Sequence, residues 1–218
     1  KGSSVHPRQK APHAHAIHVG PNNKFAFAPD LGLDKILVFE FDENSGNIKE
    51  TKFYGAEVAP GSGPRHFGFH PNGKFAYVIN EISQTITSFS YKPKRGKLRS
   101  IQTLSTVPHP VKGNSTAEIL VHPNGKFLYG SNRGHNSIAM FRINEKKGIL
   151  TSIGHEPIRG EIPRNFGIDP TGQFLLAAGQ RSNNVNVFRI NLDTGRLKFT
   201  GHSVKVSQPV CVRMILQN

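Results

Sequence analysis

The sequence predicts an all-β chain, a β-propeller of four-stranded blades, and three observations carry that reading. One turn signal recurs as Pro21-Asn22-Asn23-Lys24-Phe25, Pro71-Asn72-Gly73-Lys74-Phe75, Pro123-Asn124-Gly125-Lys126-Phe127 and Pro170-Thr171-Gly172-Gln173-Phe174, in steps of 50, 52 and 47 residues. A second keeps the same step: Gly46-Asn47-Ile48, Gly96-Lys97-Leu98, Gly148-Ile149-Leu150 and Gly195-Arg196-Leu197. Short β-rich runs lie between these signals, and no convincing amphipathic helix interrupts them. Self-similarity at about 50 residues is the mark of propeller blades. A β-sandwich, the rival, does not require near-identical turns at a constant step.

Each repeat reads as four strands. The first precedes the Pro turn: Ala16–Val19, Phe67–Phe69, Glu118–Val121 and Phe166–Ile168. The second follows that turn, where Pro fixes φ and Gly or Asn tolerates a positive φ; Phe75–Ile79 and Phe174–Ala178 are examples. The third runs apolar or alternates, as in Ile36–Phe39, Ile138–Phe141 and Val185–Phe188. The fourth follows the Gly-x-Leu signal and is more polar, as an outer edge should be. The repeats span about 12–60, 61–112, 113–160 and 161–206 within a single domain or segment covering 1–218, and a last strand is expected at 209–216. Cys211 falls in that last strand and is expected to be an inert core residue.

Composition sets the outer limits. The chain has 218 residues, 36% of them apolar and 9% aromatic, with 15 Phe and no Trp, so a packed core is available. No apolar run approaches the roughly 20 residues that span a bilayer as a helix. One cysteine and no signal-peptide pattern favour a cytoplasmic place. Lys and Arg outnumber Asp and Glu by 28 to 14, a formal charge of +14. That balance is compatible with a polyanion partner, yet the basic residues are scattered. Their densest stretch, Lys92, Lys94, Arg95, Lys97 and Arg99, surrounds a Gly turn and reads as a solvated hairpin tip. No zinc-finger spacing or RNP-like aromatic box accompanies it, so nucleic acid is not implied.

Meander topology locates the site. Strands alternate in direction, so the entry to strand one and the exit from strand two share a rim, opposite the Pro turns. Entering residues are His13 and His15, Arg65 and His66, Ala117 and Glu118, Arg164 and Asn165. Leaving residues are Asp30 and Asp34, Asn80 and Glu81, Asn132 and Arg133, Gln180 and Arg181. The Pro-turn rim repeats its residues; this rim differs from blade to blade and is rich in His, Arg and Glu. Differentiated polar residues at equivalent positions suggest a site for an anionic or carbonyl-bearing ligand. His18, His70 and His122, near the Pro turns, read as structural, as does Glu118. His13-x-His15 lacks further ligands at metal spacing, so neither a metal nor another cofactor is implied. No Gly-x-Ser-x-Gly elbow supports a serine nucleophile.

These residues also carry a family resemblance. Pro12-His13-Ala14-His15, Asp30-Leu31-Gly32-Leu33-Asp34, Gly61-x-Gly63-Pro64-Arg65-His66, Phe69–Lys74, Val78-Ile79-Asn80-Glu81, Ser131-Asn132-Arg133-Gly134, Pro163-Arg164-Asn165-Phe166 and Ala178-Gly179-Gln180 fall in the order seen in one family. Over its whole length the chain resembles the propeller-type 6-phosphogluconolactonases, whose family includes the fungal carboxymuconate cyclase. The resemblance implies a seven-bladed ring with a central polar cleft, of which this chain would be an incomplete part. At about 50 residues per blade, about 120 to 150 residues would then precede Lys1.

The resemblance further implies His15, Arg65, Glu81 and Arg133 as catalytic, and the same polar rim offers His13, His66, Asn132 and Arg164 for binding substrate. The implied partner is a small anionic sugar lactone, with neither membrane nor nucleic acid involved. Hydrolysis of an aldonolactone needs a base to activate water and cationic donors for the oxyanion. His15 or Glu81 could be the base, with Arg65, Arg133 and His66 holding the lactone oxygen and a substrate phosphate or carboxylate. Two alternatives use the same cleft: a cyclase lactonising an unsaturated dicarboxylate, and a propeller that only binds.

Overall fold

A computed structural model describes residues 1–51 and 55–215. The chain divides into two compact units, Lys1–Leu104 and Ser105–Asn218, and each holds two of the four repeats. In the first unit a 3-10 turn, Pro7–Gln9, precedes β1 (His18–Val19), β2 (Phe25–Asp30), β3 (Lys35–Phe41) and β4 (Ile48–Glu50). Strand β5 (Ala56–Glu57) adds to β3 beyond β4. The second repeat is β6 (Pro64–Phe69), β7 (Phe75–Asn80), β8 (Thr85–Lys92) and β9 (Lys97–Ser105).

The second unit follows the same plan. Its first sheet is β10 (Ser115–Val121), β11 (Phe127–Arg133), β12 (Ser137–Ile143) and β13 (Leu150–Pro157). Its second is β14 (Pro163–Ile168), β15 (Phe174–Gly179), β16 (Asn184–Ile190) and β17 (Leu197–Lys205). All four sheets are antiparallel meanders in chain order, which is the blade predicted from the turn spacing.

Three turns repeat their backbone as well as their sequence. Left-handed φ values occur at Asn23, Gly73, Gly125 and Gly172 between first and second strands, and at Gly46, Gly96, Gly148 and Gly195 between third and fourth. The turns between second and third strands place Asp34, Gln84, Asn136 and Asn183 there, at φ of 54 to 58°. The two glycine-bearing signals also meet in space. A Cβ on Gly96 would lie 2.7 Å from Phe25 Cδ1, and one on Gly195 would lie 2.3 Å from Phe127 Cδ1. The phenylalanine opening one blade's second strand therefore seats on the turn glycine of the next blade, within each unit. This contact requires both signals to share one period.

Each unit has its own core. In the first, Phe27 stacks on Phe67 at 5.6 Å and meets Tyr91 edge-on, packed with Ile36, Val78 and Phe89. In the second, Phe127, Tyr129, Met140, Phe166 and Phe188 form the equivalent cluster, and the Tyr129 hydroxyl donates to the Gly195 carbonyl. The outer strands are polar, as predicted; β4 is exposed throughout. The basic stretch at residues 92–99 is the exposed β8–β9 hairpin. Two other scattered arginines, Arg142 and Arg189, lie over the rings of Phe127 and Phe174.

Three expectations are corrected. The first blade's inner strand is reduced to His18–Val19 and an isolated bridge between Ala14 and Asp30. His15 N–H donates to the Pro29 carbonyl, but Pro29 has no N–H to return the bond, so the ladder breaks there. Residues 209–215 form no strand: Val212 N–H donates to the Asn165 side chain instead of a ladder partner, while Leu216 lies outside the described residues. Cys211 on that segment is exposed rather than buried in a core.

Candidate active site

The rim position entering strand one is built by a bulge. In β6 the register skips between Pro64 and His66, and in β14 between Pro163 and Asn165, so Arg65 and Arg164 are the extra residues. A bulge re-aims a side chain out of the alternation of its strand. His15 and Ala117 stand at the same place in the other two repeats, six residues before the Pro turn. The residues at the exit from the second strand, ten after each Pro of the turn, are Leu31, Glu81, Arg133 and Gln180, with Arg133 still paired with Ser115.

Four predicted residues come together in the first unit. Arg65 is buried at 2% exposure; its Nε donates to Glu81 Oε2 at 2.8 Å and its Nη1 lies 2.9 Å from His66 Nε2. The His66 ring meets the His15 ring edge-on, with centroids 5.2 Å apart. His15 Nδ1 is buried and has no hydrogen-bond partner among the described residues. Burial pushes the His15 pKa down to about 4, helped by the positive charges of Arg65 and His66 and opposed by Glu81. At neutral pH it is an uncharged imidazole with a lone pair available. His13 is exposed, and its backbone N–H donates to Asp30 Oδ1.

The N-terminal turn, which the repeat pattern did not reach, closes this set. Arg8 Nη1 pairs with Glu81 Oε1, so both carboxylate oxygens of Glu81 face arginines. The neighbouring Gln9 is fully buried and donates to the Leu31 carbonyl and to Asp34 Oδ1. Asp34 in turn accepts from the N–H groups of Gly61 and Gly63, fixing the loop that leads into Arg65. Arg8 and Gln9 lie outside the repeats, and the Arg8-Gln9 pair just upstream of His13 was the one trace of them in the sequence.

The remaining predicted residues belong to the second unit. Arg133 Nη2 donates to the Thr116 carbonyl at 2.7 Å, and Asn132 exchanges hydrogen bonds with Thr106. Arg164 is half-buried, with its backbone N–H bonded to the Ile162 carbonyl. Glu118, read as structural, is buried and linked to Asn165 and Arg213. His122 accepts the N–H of Asn124 and contacts the Gly172 carbonyl, a turn-fixing role. A cavity of about 320 Å³, lined by Ile162, Gln180, Arg181, Asn183 and Gln208, opens at the exit of β15.

One feature of this unit left no trace in the repeat pattern. His109, His135 and His155 form an edge-to-face row, with ring centroids 6.5 and 5.5 Å apart. His109 comes from the connection after β9, His135 from the β11–β12 turn and His155 from strand β13, so spacing alone could not reveal them. Among the described residues no cluster of three or more His, Cys, Asp or Glu is arranged to hold a metal ion.

A family model described as lactonase, 7-bladed beta-propeller, matches residues 1–214. The chain belongs to this family. Within the lactonase propellers, a 6-phosphogluconolactonase of Bacillus subtilis is 37% identical over 153 residues, which are 70% of this chain and 43% of that protein. The periplasmic gluconolactonase of Pseudomonas aeruginosa superimposes with a TM-score of 0.91 at 33% identity, covering 97% of this chain and 59% of the other. A putative 6-phosphogluconolactonase of Bacteroides uniformis gives 0.90 at 39% identity, covering 98% and 62%. The chain thus spans less than half of that curated lactonase and about three fifths of those solved propellers. No helix among the described residues is long and apolar enough to cross a membrane.

Proposed function

We propose that this chain serves the hydrolysis of a sugar lactone, with 6-phosphogluconolactone as substrate and 6-phosphogluconate as product. The observation that supports this best is the Arg65–Glu81–His66–His15 set, in which an uncharged imidazole whose buried Nδ1 has no partner among the described residues lies edge-on to His66 and beside the buried Arg65–Glu81 pair. The names of the B. subtilis and P. aeruginosa relatives point to lactones of this class. A cytoplasmic place goes with this reading.

The chemistry divides among the residues as follows. His15 takes a proton from water, and the resulting hydroxide adds to the lactone carbonyl carbon. The tetrahedral oxyanion is stabilised by His66 and by the charge of Arg65, whose burial strengthens its field. Collapse of the intermediate breaks the ring C–O bond, and the ring oxygen takes the proton back from His15, leaving the open-chain acid. Glu81 is engaged by two arginines and acts by orienting Arg65 rather than as the base. Arg133, Asn132, His13 and Arg164 are kept as substrate-binding or oxyanion donors on their repeat positions alone.

The test is lactone disappearance, corrected for spontaneous hydrolysis, for the protein and its Arg65→Ala and His15→Gln variants. Loss of about a hundredfold or more in turnover for both is expected, the scale of removing an oxyanion donor or a general base. Turnover in either variant equal to that of the parent would overturn its assignment.

A further inference from the structure

We propose that Arg8 is an anion-binding residue of this site, presenting its outer guanidinium edge to the phosphate of a phosphorylated sugar acid or lactone. The inference rests on the lactone reading above and adds to it the group that recognises the substrate's distal charge. Glu81 is almost wholly buried and already has a buried counter-ion in Arg65. A second arginine is therefore not required to neutralise it, and the three groups together carry a net charge of +1.

Arg8 differs from Arg65 in what it leaves open. Its side chain is 45% exposed, so one edge is held by Glu81 while the rest faces solvent. Its backbone is held as well. Gln9, the next residue, is fully buried and tied to Leu31 and Asp34, and His6 caps the same turn by accepting the Arg8 N–H. A guanidinium fixed at both its root and one edge loses little freedom on binding, and its remaining N–H groups suit a phosphate. An ordinary surface ion pair has neither the pinned backbone nor the doubly engaged carboxylate.

The division of labour follows from burial. Arg65 and the imidazoles occupy the protected part of the set, suited to the reacting carbonyl. Arg8 occupies the wet edge, suited to a hydrated phosphate that does not react.

The experiment is calorimetric titration of the 218-residue chain with 6-phosphogluconate and with gluconate, for the parent, Arg8→Gln and Arg8→Lys. Arg8→Gln is expected to weaken 6-phosphogluconate binding by about tenfold or more, the scale of one charge-assisted contact, and gluconate binding by less than about twofold. Arg8→Lys is expected to recover part of the loss. A parent that binds and an Arg8→Gln variant that binds equally well overturn the Arg8 assignment and leave the lactone reading standing. A parent that binds neither ligand overturns both. A lowered melting midpoint in Arg8→Gln, with no recovery of phosphate affinity in Arg8→Lys, marks a structural residue and overturns the proposal.

Discussion

Arg65 Nε donates to Glu81 Oε2 at 2.8 Å, with the two side chains exposed by 2% and 5%. The pair joins a bulge residue to the residue leaving the neighbouring strand; the fourth repeat also has an arginine, Arg164, at the bulge but Gln180 at the second position, and the first and third fill both positions differently. In the third repeat Ala117 takes the bulge, and Arg133 turns to the Thr116 carbonyl instead. The pair is thus peculiar to one blade and not part of the common blade plan.

Breaking it is costly because the survivor stays buried. Arg65→Ala leaves the buried Glu81 carboxylate without its buried counter-ion and facing the half-exposed Arg8, and should lower stability by about 3 kcal/mol, the low end for breaking a buried pair. Replacing both partners by apolar residues, as in Arg65→Met with Glu81→Leu, should recover most of that, since neither charge is then left without a partner. Urea unfolding of the single and double variants measures the difference. A double variant less stable than Arg65→Ala would count against the pair as the source of the loss.

His15 makes stability depend on pH in one direction. Its pKa is about 4 in the folded chain against an ordinary 6.5, so the unfolded chain binds the proton more readily. The His15 contribution is therefore complete above about pH 6.5, is lost as pH falls toward about 4, and changes no further below that. Burial of His135 beside His155 and His109 pushes its pKa the same way and adds to the slope. His15→Gln should flatten part of the fall in melting midpoint between pH 6.5 and 4 and leave the His135 part in place. A midpoint curve that keeps its full slope in the variant would remove His15 from the account.

The blades were legible because their turns impose special backbone. A positive φ at Gly73, Gly125 and Gly172 selects glycine, and the contact of Phe127 with Gly195 ties one signal to the other. The predicted rim residues Arg65, His66, Glu81 and His15 were legible because they vary where the scaffold does not. Arg8 and Gln9 were not, because a non-repeating segment offers no register against which to notice them. The broken ladder at Pro29 and the strandless segment at 209–215 depended on which backbone groups found partners, and that is decided in three dimensions. Cys211 shows the same limit: its apolar run predicts core, yet the segment forms no strand and the thiol is exposed.

The Phe–Gly contact separates two glycines that share a conformation. Gly46 and Gly195 have φ of 71° and 75°, so alanine costs about 1 kcal/mol at either from the left-handed backbone alone. At Gly46 a Cβ would meet nothing within 4 Å, whereas at Gly195 it would strike the Phe127 ring. Gly195→Ala should therefore lose about 1–3 kcal/mol beyond Gly46→Ala, the cost of overpacking a filled core. Chemical denaturation of both variants reads the gap directly, and equal losses would show that the ring moves aside without cost.

Asn165 links a buried carboxylate to the segment that follows the last strand. Its Nδ2 donates to Glu118 Oε2, and its Oδ1 accepts the Val212 N–H at 2.7 Å. Val212 and Met214 also lie close over Gly167, where a Cβ would meet Met214 Cε at 2.9 Å. The segment is thus held beside β14 by the Val212 hydrogen bond, the Arg213–Glu118 ion pair and apolar packing on a glycine. Asn165→Leu removes the acceptor for Val212 and one donor to Glu118, a loss of about 1–3 kcal/mol. Because the first effect is local, it should appear in the segment before the whole chain unfolds. Trypsin cleavage after Arg213 under native conditions should quicken by about tenfold if about 1.4 kcal/mol of that loss falls on the segment. Gly167→Ala should act in the same direction by lifting Val212 and Met214, with Glu118 and Asn165 left intact. Unchanged cleavage in both variants would mean that other contacts hold residues 209–215 in place.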